Sequence, residues 1–230
     1  MKNTRINLKV IGKVAKALGE LNDRVVYVGG AIVSLYINDP AAEDIRPTKD
    51  IDISLEILTL GELEKLRVLL IEKKFYQTSD EIVMCRFMYD DVTVDVMSTK
   101  AIGWAPADKW FEPGFKYVET IKIDDQQIRI LPLAYFLATK FSAFHDRGAK
   151  DPRTSKDFED ITYILDNRLD LVQQIITSPK DVNQYLNSEF KNILSDSGLQ
   201  EALIANLFYE TQVIRYKNIT DKLKVILTHL

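Results

Sequence analysis

The stretch RVVYVGGAIVSLYINDPAAEDIRPTKDIDISLE, residues 24–56, sets out a strand, a glycine pair, a helical run, a polar loop and a second strand, in that order. Arg24 to Val28 is short and β-branched and stops at Gly29-Gly30, and Ala31 to about Ile37 takes up helical spacing. Asn38 to Lys49 is polar and carries Pro40 and Pro47, the composition of a loop. Asp50 to Glu56 alternates polar and aliphatic residues. Side chains alternate faces along a strand, so Asp50 and Asp52 point the same way while Ile51 and Ile53 point into the core.

The flanks extend this pattern in both directions. Ile6, Val10, Ile11, Val14, Ala17 and Leu18 recur at three- and four-residue steps, so the chain opens with an amphipathic helix that Gly19 loosens or ends. Leu60 to Lys74 returns to helical spacing. Ile82 to Tyr89 and Val92 to Met97 are strand-like runs joined at Asp90-Asp91, which reads as a β-hairpin. Trp104 to Val118 is aromatic-rich without a regular period, and Ile121 to Leu131 reads as a second hairpin. From Pro132 onward the pattern is helical, over Leu133–Arg147, Ser155–Asn167, Leu169–Ile176, Asp181–Leu194, Leu199–Tyr216 and Thr220 to the end. The expected layout is α+β, with a mixed sheet and flanking helices in residues 1–131 and an all-helical domain in residues 132–230.

At 230 residues, with 46% hydrophobic and 28% charged residues, the chain has the composition of a globular protein with a sizeable core. The longest apolar stretch, Ile128 to Ala138, is interrupted by Arg129, so no segment reads as a bilayer span. The N-terminus spaces its Lys and Arg residues through a helical pattern, unlike a secretory signal, and a cytoplasmic location is expected. Cys85 is the single cysteine and the two histidines, His145 and His229, are far apart, so any metal here is expected to be held by oxygen. The net charge of −4 argues against a broad basic surface, although Lys140, Arg147, Lys150, Arg153 and Lys156 outnumber Asp146 and Asp151 locally. That run reads either as a solvated helix end or as a functional patch.

Two carboxylates about 6–7 Å apart on one strand face repel unless a cation lies between them. Asp95, in Val92-Thr93-Val94-Asp95-Val96-Met97, repeats the motif of one acid among apolar neighbours. Such positions can simply be the exposed side of one-sided strands. Asp is nevertheless a poor strand former, and three convergent carboxylates suit Mg²⁺ or Mn²⁺, with a second ion at roughly 3.5–4 Å. Gly29-Gly30 reads either as plain turn chemistry or as a place where a phosphate approaches the backbone at the start of a helix. Leu133, Phe136, Leu137, Lys140, Phe144 and Arg147 share one helical stripe. A cation on an apolar stripe calls for a counter-charge, a ligand phosphate or a path for its head to water.

In its order of Val28-Gly29-Gly30, Asp50-Ile51-Asp52-Ile53 and a later Asp95, the chain resembles the DNA polymerase β-like nucleotidyltransferase superfamily. The 19 residues between Gly30 and Asp50 make a longer loop than in minimal members. Within the superfamily it is most similar to AbiEii-like nucleotidyltransferase toxins, through Arg46 four residues before Asp50 and through Lys140, Arg147 and Lys156-Asp157, over roughly residues 25–165.

The resemblance implies a polymerase β-like sheet, with the helical domain completing a nucleotide and acceptor cleft. It makes Asp50, Asp52 and Asp95 the metal ligands and counts Lys140 among the catalytic residues. Gly29, Gly30, Arg46, Arg147 and Asp157 would bind the nucleotide, Asp157 by orienting Lys140 or Arg147. Asp160 is read as an acid favoured at a helix N-terminus. The implied substrates are an NTP and an RNA end such as the 3′ end of tRNA, in a toxin controlled by a cognate antitoxin, with no membrane partner. The alternatives are an aminoglycoside- or lincosamide-type nucleotidyltransferase and a catalytically silent nucleotide-binding module. Addition of CCA to tRNA fits less well, because Val33-Ser34 replaces the Arg-Asp that follows the glycines in those enzymes.

Overall fold

The computed structural model describes residues 2–48, 50–77 and 83–229, so the expected strand start at Ile82 lies outside the described residues. The chain divides into two compact units, one of residues 1–34 and 44–132 and the other of residues 35–43 and 133–230.

The first unit is a six-stranded mixed sheet with helices. Helix α1, Lys2–Leu18, turns Ile11, Val14 and Leu18 into the core and ends at Gly19, whose φ of +54° a glycine adopts without strain. Strands β1 (Val26–Val28), β2 (Asp50–Leu55), β3 (Arg86–Tyr89), β4 (Val92–Ser98), β5 (Glu119–Ile123) and β6 (Gln126–Ile130) lie in the order β3-β4-β2-β1-β6-β5. Strand β2 runs parallel to β4 and antiparallel to β1, and β1 runs parallel to β6. Both expected hairpins form, β3-β4 around Asp90-Asp91 and β5-β6 around Asp124-Asp125, with Asp90 and Asp124 at positive φ. Helix α2, Leu60–Glu72, starts from a capping box in which Thr59 and Glu62 satisfy each other's backbone N–H groups. The aromatic-rich stretch after β4 holds one short helix, α3, Phe111–Phe115.

In the second unit, α4 (Leu133–Ala143) runs into a π-helical turn, Phe144–Gly148, followed by α5 (Lys156–Asn167), α6 (Leu171–Ile176), α7 (Lys180–Ser195), α8 (Ser197–Ala205) and α9 (Gln212–Leu227). Phe136, Phe141, Phe158, Leu186 and Phe190 are buried at its centre.

Three sequence expectations change. Residues 35–43 were assigned to the strand-bearing domain but pack with the helices: Tyr36 stacks on Phe136 at 4.2 Å, the Asn38 and Asp39 N–H groups donate to the Asn167 carbonyl, and Arg168 donates to the Tyr36 carbonyl. The run after Gly29 is 3₁₀ over Gly30–Tyr36. The expected helix Leu199–Tyr216 breaks between Ala205 and Gln212, and α9 then continues through residue 220. Arg215 pairs with Asp166 at 2.8 Å, and Lys222 donates to the Leu165, Asp166 and Arg168 carbonyls, so tertiary contacts to the end of α5 hold α9 together.

Candidate active site

Strand pairing in the first unit gathers the acidic residues. In β2 burial alternates over residues 50–53, with Ile51 and Ile53 fully enclosed, Asp50 exposed and Asp52 half-buried, before Ser54 and Leu55 are both enclosed. The parallel register sets Asp52 beside Asp95 and Asp50 beside Thr93. The antiparallel register on the other side sets Asp52 beside Val28, the last residue before the glycines. One row across three strands therefore reads Val28, Asp52, Asp95, with Asp50 two residues away on the Asp52 face.

Gly29 makes room for that row. Its φ is +75°, and a Cβ built on it would collide with Asp52 Oδ2 and stand 2.6 Å from Asp52 Cγ. The Asp52 carboxylate occupies the space a side chain would fill, so only glycine fits here. Gly30 opens the 3₁₀ turn. Arg46 lies in the loop ahead of Asp50, which α1 clamps: the Asn7 amide donates to the Arg46 carbonyl at 3.3 Å and accepts from the Thr48 N–H at 3.1 Å. Asp44 accepts from the Asn3 and Thr4 N–H groups at 2.7 and 3.0 Å, capping the same helix. This carboxyl is held below the usual range; desolvation opposes the shift, but the hydrogen bonds outweigh it.

Sequence reading missed Arg86. Its Nε and one terminal nitrogen each donate at 2.8 Å to the two oxygens of Asp95, a bidentate pair on the sheet face. The hairpin contained the signal, because a turn at residues 90–91 pairs Tyr89 with Val92 and so Arg86 with Asp95. Cys85, next in the chain, is buried, and its thiol is pushed up by desolvation and by the negative charge of Asp95.

For a divalent ion the donors suit in type, since they are hard carboxylate oxygens, and in register. Among the described residues, however, no three His, Cys, Asp or Glu side chains gather into a group able to hold a metal, and both Asp95 oxygens are engaged by Arg86.

The second unit holds the other expected residues. Lys140, expected to meet a phosphate, is enclosed: its ammonium donates to Asp160 at 2.7 Å and Asp157 at 3.4 Å, with 5% of the side chain exposed. Asp160 is therefore a direct partner of Lys140, beyond the helix-terminus role expected for it. Asp157 and Asp160 lie three apart on α5 and present both carboxylates to one ammonium. Arg147, on the π turn, grips Asp157 through Nε at 2.7 Å and a terminal nitrogen at 2.9 Å while its side chain stays 71% exposed. Burial pushes the Asp157 carboxyl up, but hydrogen bonds from Arg147 and the charges of Lys140 and Arg147 outweigh it and hold the group below the usual range. Gly148 ends the turn where a Cβ would strike Ser155, whose hydroxyl caps α5 at the Phe158 N–H.

No protein-family model and no curated protein matches the sequence. Among solved structures, the chain is similar to an antigenic nucleotidyltransferase-like protein from Paracoccidioides brasiliensis, at 16% identity and a TM-score of 0.51 over 87% of this chain and 93% of that one. Two others are the antibiotic-resistance factor ANT(2'')-Ia, at 11% identity and 0.47 over 81% and 94%, and JHP933 from Helicobacter pylori, at 14% and 0.41 over 97% and 94%. No helix among the described residues is long and apolar enough to cross a membrane. By its likeness to the first of these structures, the chain has a nucleotidyltransferase-like α+β fold.

Proposed function

We propose that the protein is a metal-dependent nucleotidyltransferase that moves a nucleoside monophosphate from an NTP to an acceptor hydroxyl. The observation that carries this reading is the row of Asp52 and Asp95 on paired strands, with Asp50 on the same face and Gly29 opened to admit the Asp52 carboxylate. A fold shared with a nucleotidyltransferase-like protein supports it. Asp50 and Asp52 would hold Mg²⁺ or Mn²⁺, and Asp95 would complete the site; bound there, the metal would neutralise charge on the phosphoryl group being transferred. The acceptor oxygen forms a bond to the α-phosphorus as the bond from that phosphorus to the bridging oxygen breaks. Pyrophosphate departs with that oxygen, and Asp95 takes the acceptor proton.

Gly29, Gly30 and Arg46 belong to the same unit as these carboxylates and are assigned to the triphosphate. In the helical unit, Arg147 offers an exposed guanidinium oriented by Asp157, and phosphate contact is assigned to it, with Lys140 as the positioning residue that holds Asp157 and Asp160. By the resemblance to AbiEii-like toxins, the acceptor is an RNA 3′ end such as that of tRNA, and the chain acts as a toxin under the control of an antitoxin.

The test incubates the protein with Mg²⁺, each labelled NTP and total RNA, and follows pyrophosphate release. Label is expected in the RNA, and Asp50→Ala or Asp52→Ala should abolish it without loss of folding. Transfer by Asp50→Ala at the wild-type rate refutes the reading. Label found only on an added aminoglycoside would move the acceptor to a small molecule, and NTP binding without pyrophosphate release would make the chain a binding module.

A further inference from the structure

We infer that the outer face of α1 is a track for the phosphate backbone of single-stranded RNA. Lys2, Arg5, Lys9, Lys13 and Lys16 fall within an arc of about 80° on the helix and extend along about 21 Å of its axis. Lys2, Arg5, Lys9 and Lys16 are exposed, and α1 contains no acid. Among the described residues, Lys13 is the one of the five with acidic partners, Asp90 at 3.1 Å and Asp91 at 2.8 Å on the β3-β4 turn. A chain with a net charge of −4 thus concentrates cations on one helical face.

Helix energetics do not call for this stripe. Lysine and arginine are unfavourable in the first turn, where the helix dipole presents its positive end and where Asp44 already supplies the cap. Lys2 and Arg5 stand in that region. Ile6 is 39% exposed among the cations, an apolar surface for a base or ribose.

The occupant is a polyanion and not a lipid surface. A membrane-bound amphipathic helix inserts its apolar face, whereas Ile11, Val14, Ala15 and Leu18 of α1 are fully enclosed in the core of the first unit. On the opposite side from the cations, buried Asn7 clamps the loop that leads to Asp50, so the helix that would carry the strand also braces the segment before the first carboxylate. The choice of RNA rests on the acceptor reading above, and recognition of a phosphate chain rests on the stripe alone.

The test measures binding of a fluorescent 20-nucleotide single-stranded RNA to the full chain, with EDTA and without NTP, across a series of salt concentrations. Four open cations each meeting a phosphate give a slope of log K against log salt of about −3. The variant Lys2→Glu/Arg5→Glu/Lys9→Glu changes only exposed side chains, two of them in the first turn where the dipole favours an acid, so it should keep its far-ultraviolet dichroism and melting temperature. It should bind RNA at least tenfold more weakly, with a slope shallower by about 2. Unchanged affinity in the folded variant overturns the inference, as does wild-type binding to phosphatidylserine vesicles in preference to the RNA. If the triple variant misfolds, Lys9→Glu alone must weaken binding and flatten the slope, or the inference fails. A protein without transferase activity would still bind RNA in this assay, and a transferase that does not use α1 would bind equally with and without the reversal.

Discussion

Replacing Gly29 with alanine tests whether the glycine is there to admit the Asp52 carboxylate. Two costs arise from the geometry. The residue sits at φ +75°, where a Cβ meets its own backbone, a penalty of roughly 1–2 kcal/mol. The added carbon also meets Asp52, colliding with Oδ2 and standing 2.6 Å from Cγ and 2.8 Å from Cβ. Overpacking of this kind costs about 1–3 kcal/mol, so Gly29→Ala should lose about 2–5 kcal/mol in urea unfolding. Two of the three contacts vanish in Asp52→Ala, and the Cβ contact remains. The double variant should therefore recover about 0.5–3 kcal/mol relative to the sum of the single changes, while the backbone penalty persists. Pyrophosphate release should fall about 100-fold in Gly29→Ala, because the carboxylate must move by an ångström-scale distance. A loss within 0.5 kcal/mol of wild type, or the same loss in the Asp52→Ala background, refutes the reasoning.

Arg86→Ala should cost about 1–3 kcal/mol by urea titration, because it strips both charge-assisted bonds from a carboxylate whose side chain is 15% exposed; Arg86→Lys should restore only part of it, and full restoration would deny the bidentate pair its importance. Lys140→Met leaves Asp160 and Asp157 short of a counter-charge in the core of the helical unit and should cost about 3–5 kcal/mol; a loss under about 1 kcal/mol would show that the ammonium is not enclosed as described. Asp157 is held below its unfolded value of about 3.9, so its contribution is fully present above that pH and is lost as pH falls through the lower folded value. Between those two values wild type should lose stability by up to about 1.4 kcal/mol per pH unit more than Asp157→Asn, and parallel stability profiles for the two proteins would exclude this linkage.

Local rules carried much of the carboxylate face. The two-residue period of a strand is a property of the backbone, so Asp50 and Asp52 share a face wherever β2 lies, and a turn at Asp90-Asp91 implies the partners along β3 and β4. The amphipathic period likewise marked α1, and Gly19 marked its end. The neighbours of those carboxylates depend on pairings between distant segments. Setting Asp52 beside Asp95 requires β2 to run parallel to β4, 43 residues on, and no local pattern encodes that choice. Lys140 shows the same limit: its place on an apolar stripe demanded compensation, but whether a ligand phosphate or a carboxylate supplies it depends on where α5 packs, and packing brought Asp157 and Asp160. Residues 35–43 read in sequence as the end of a helical run and the start of a polar loop, and only their tertiary contacts to Phe136, Asn167 and Arg168 assign them to the helical unit. The sequence alone determined which residues could carry charge on one face, because periodicity is local; the tertiary structure decided which charges meet, because ion pairs and parallel strands join residues far apart in the chain.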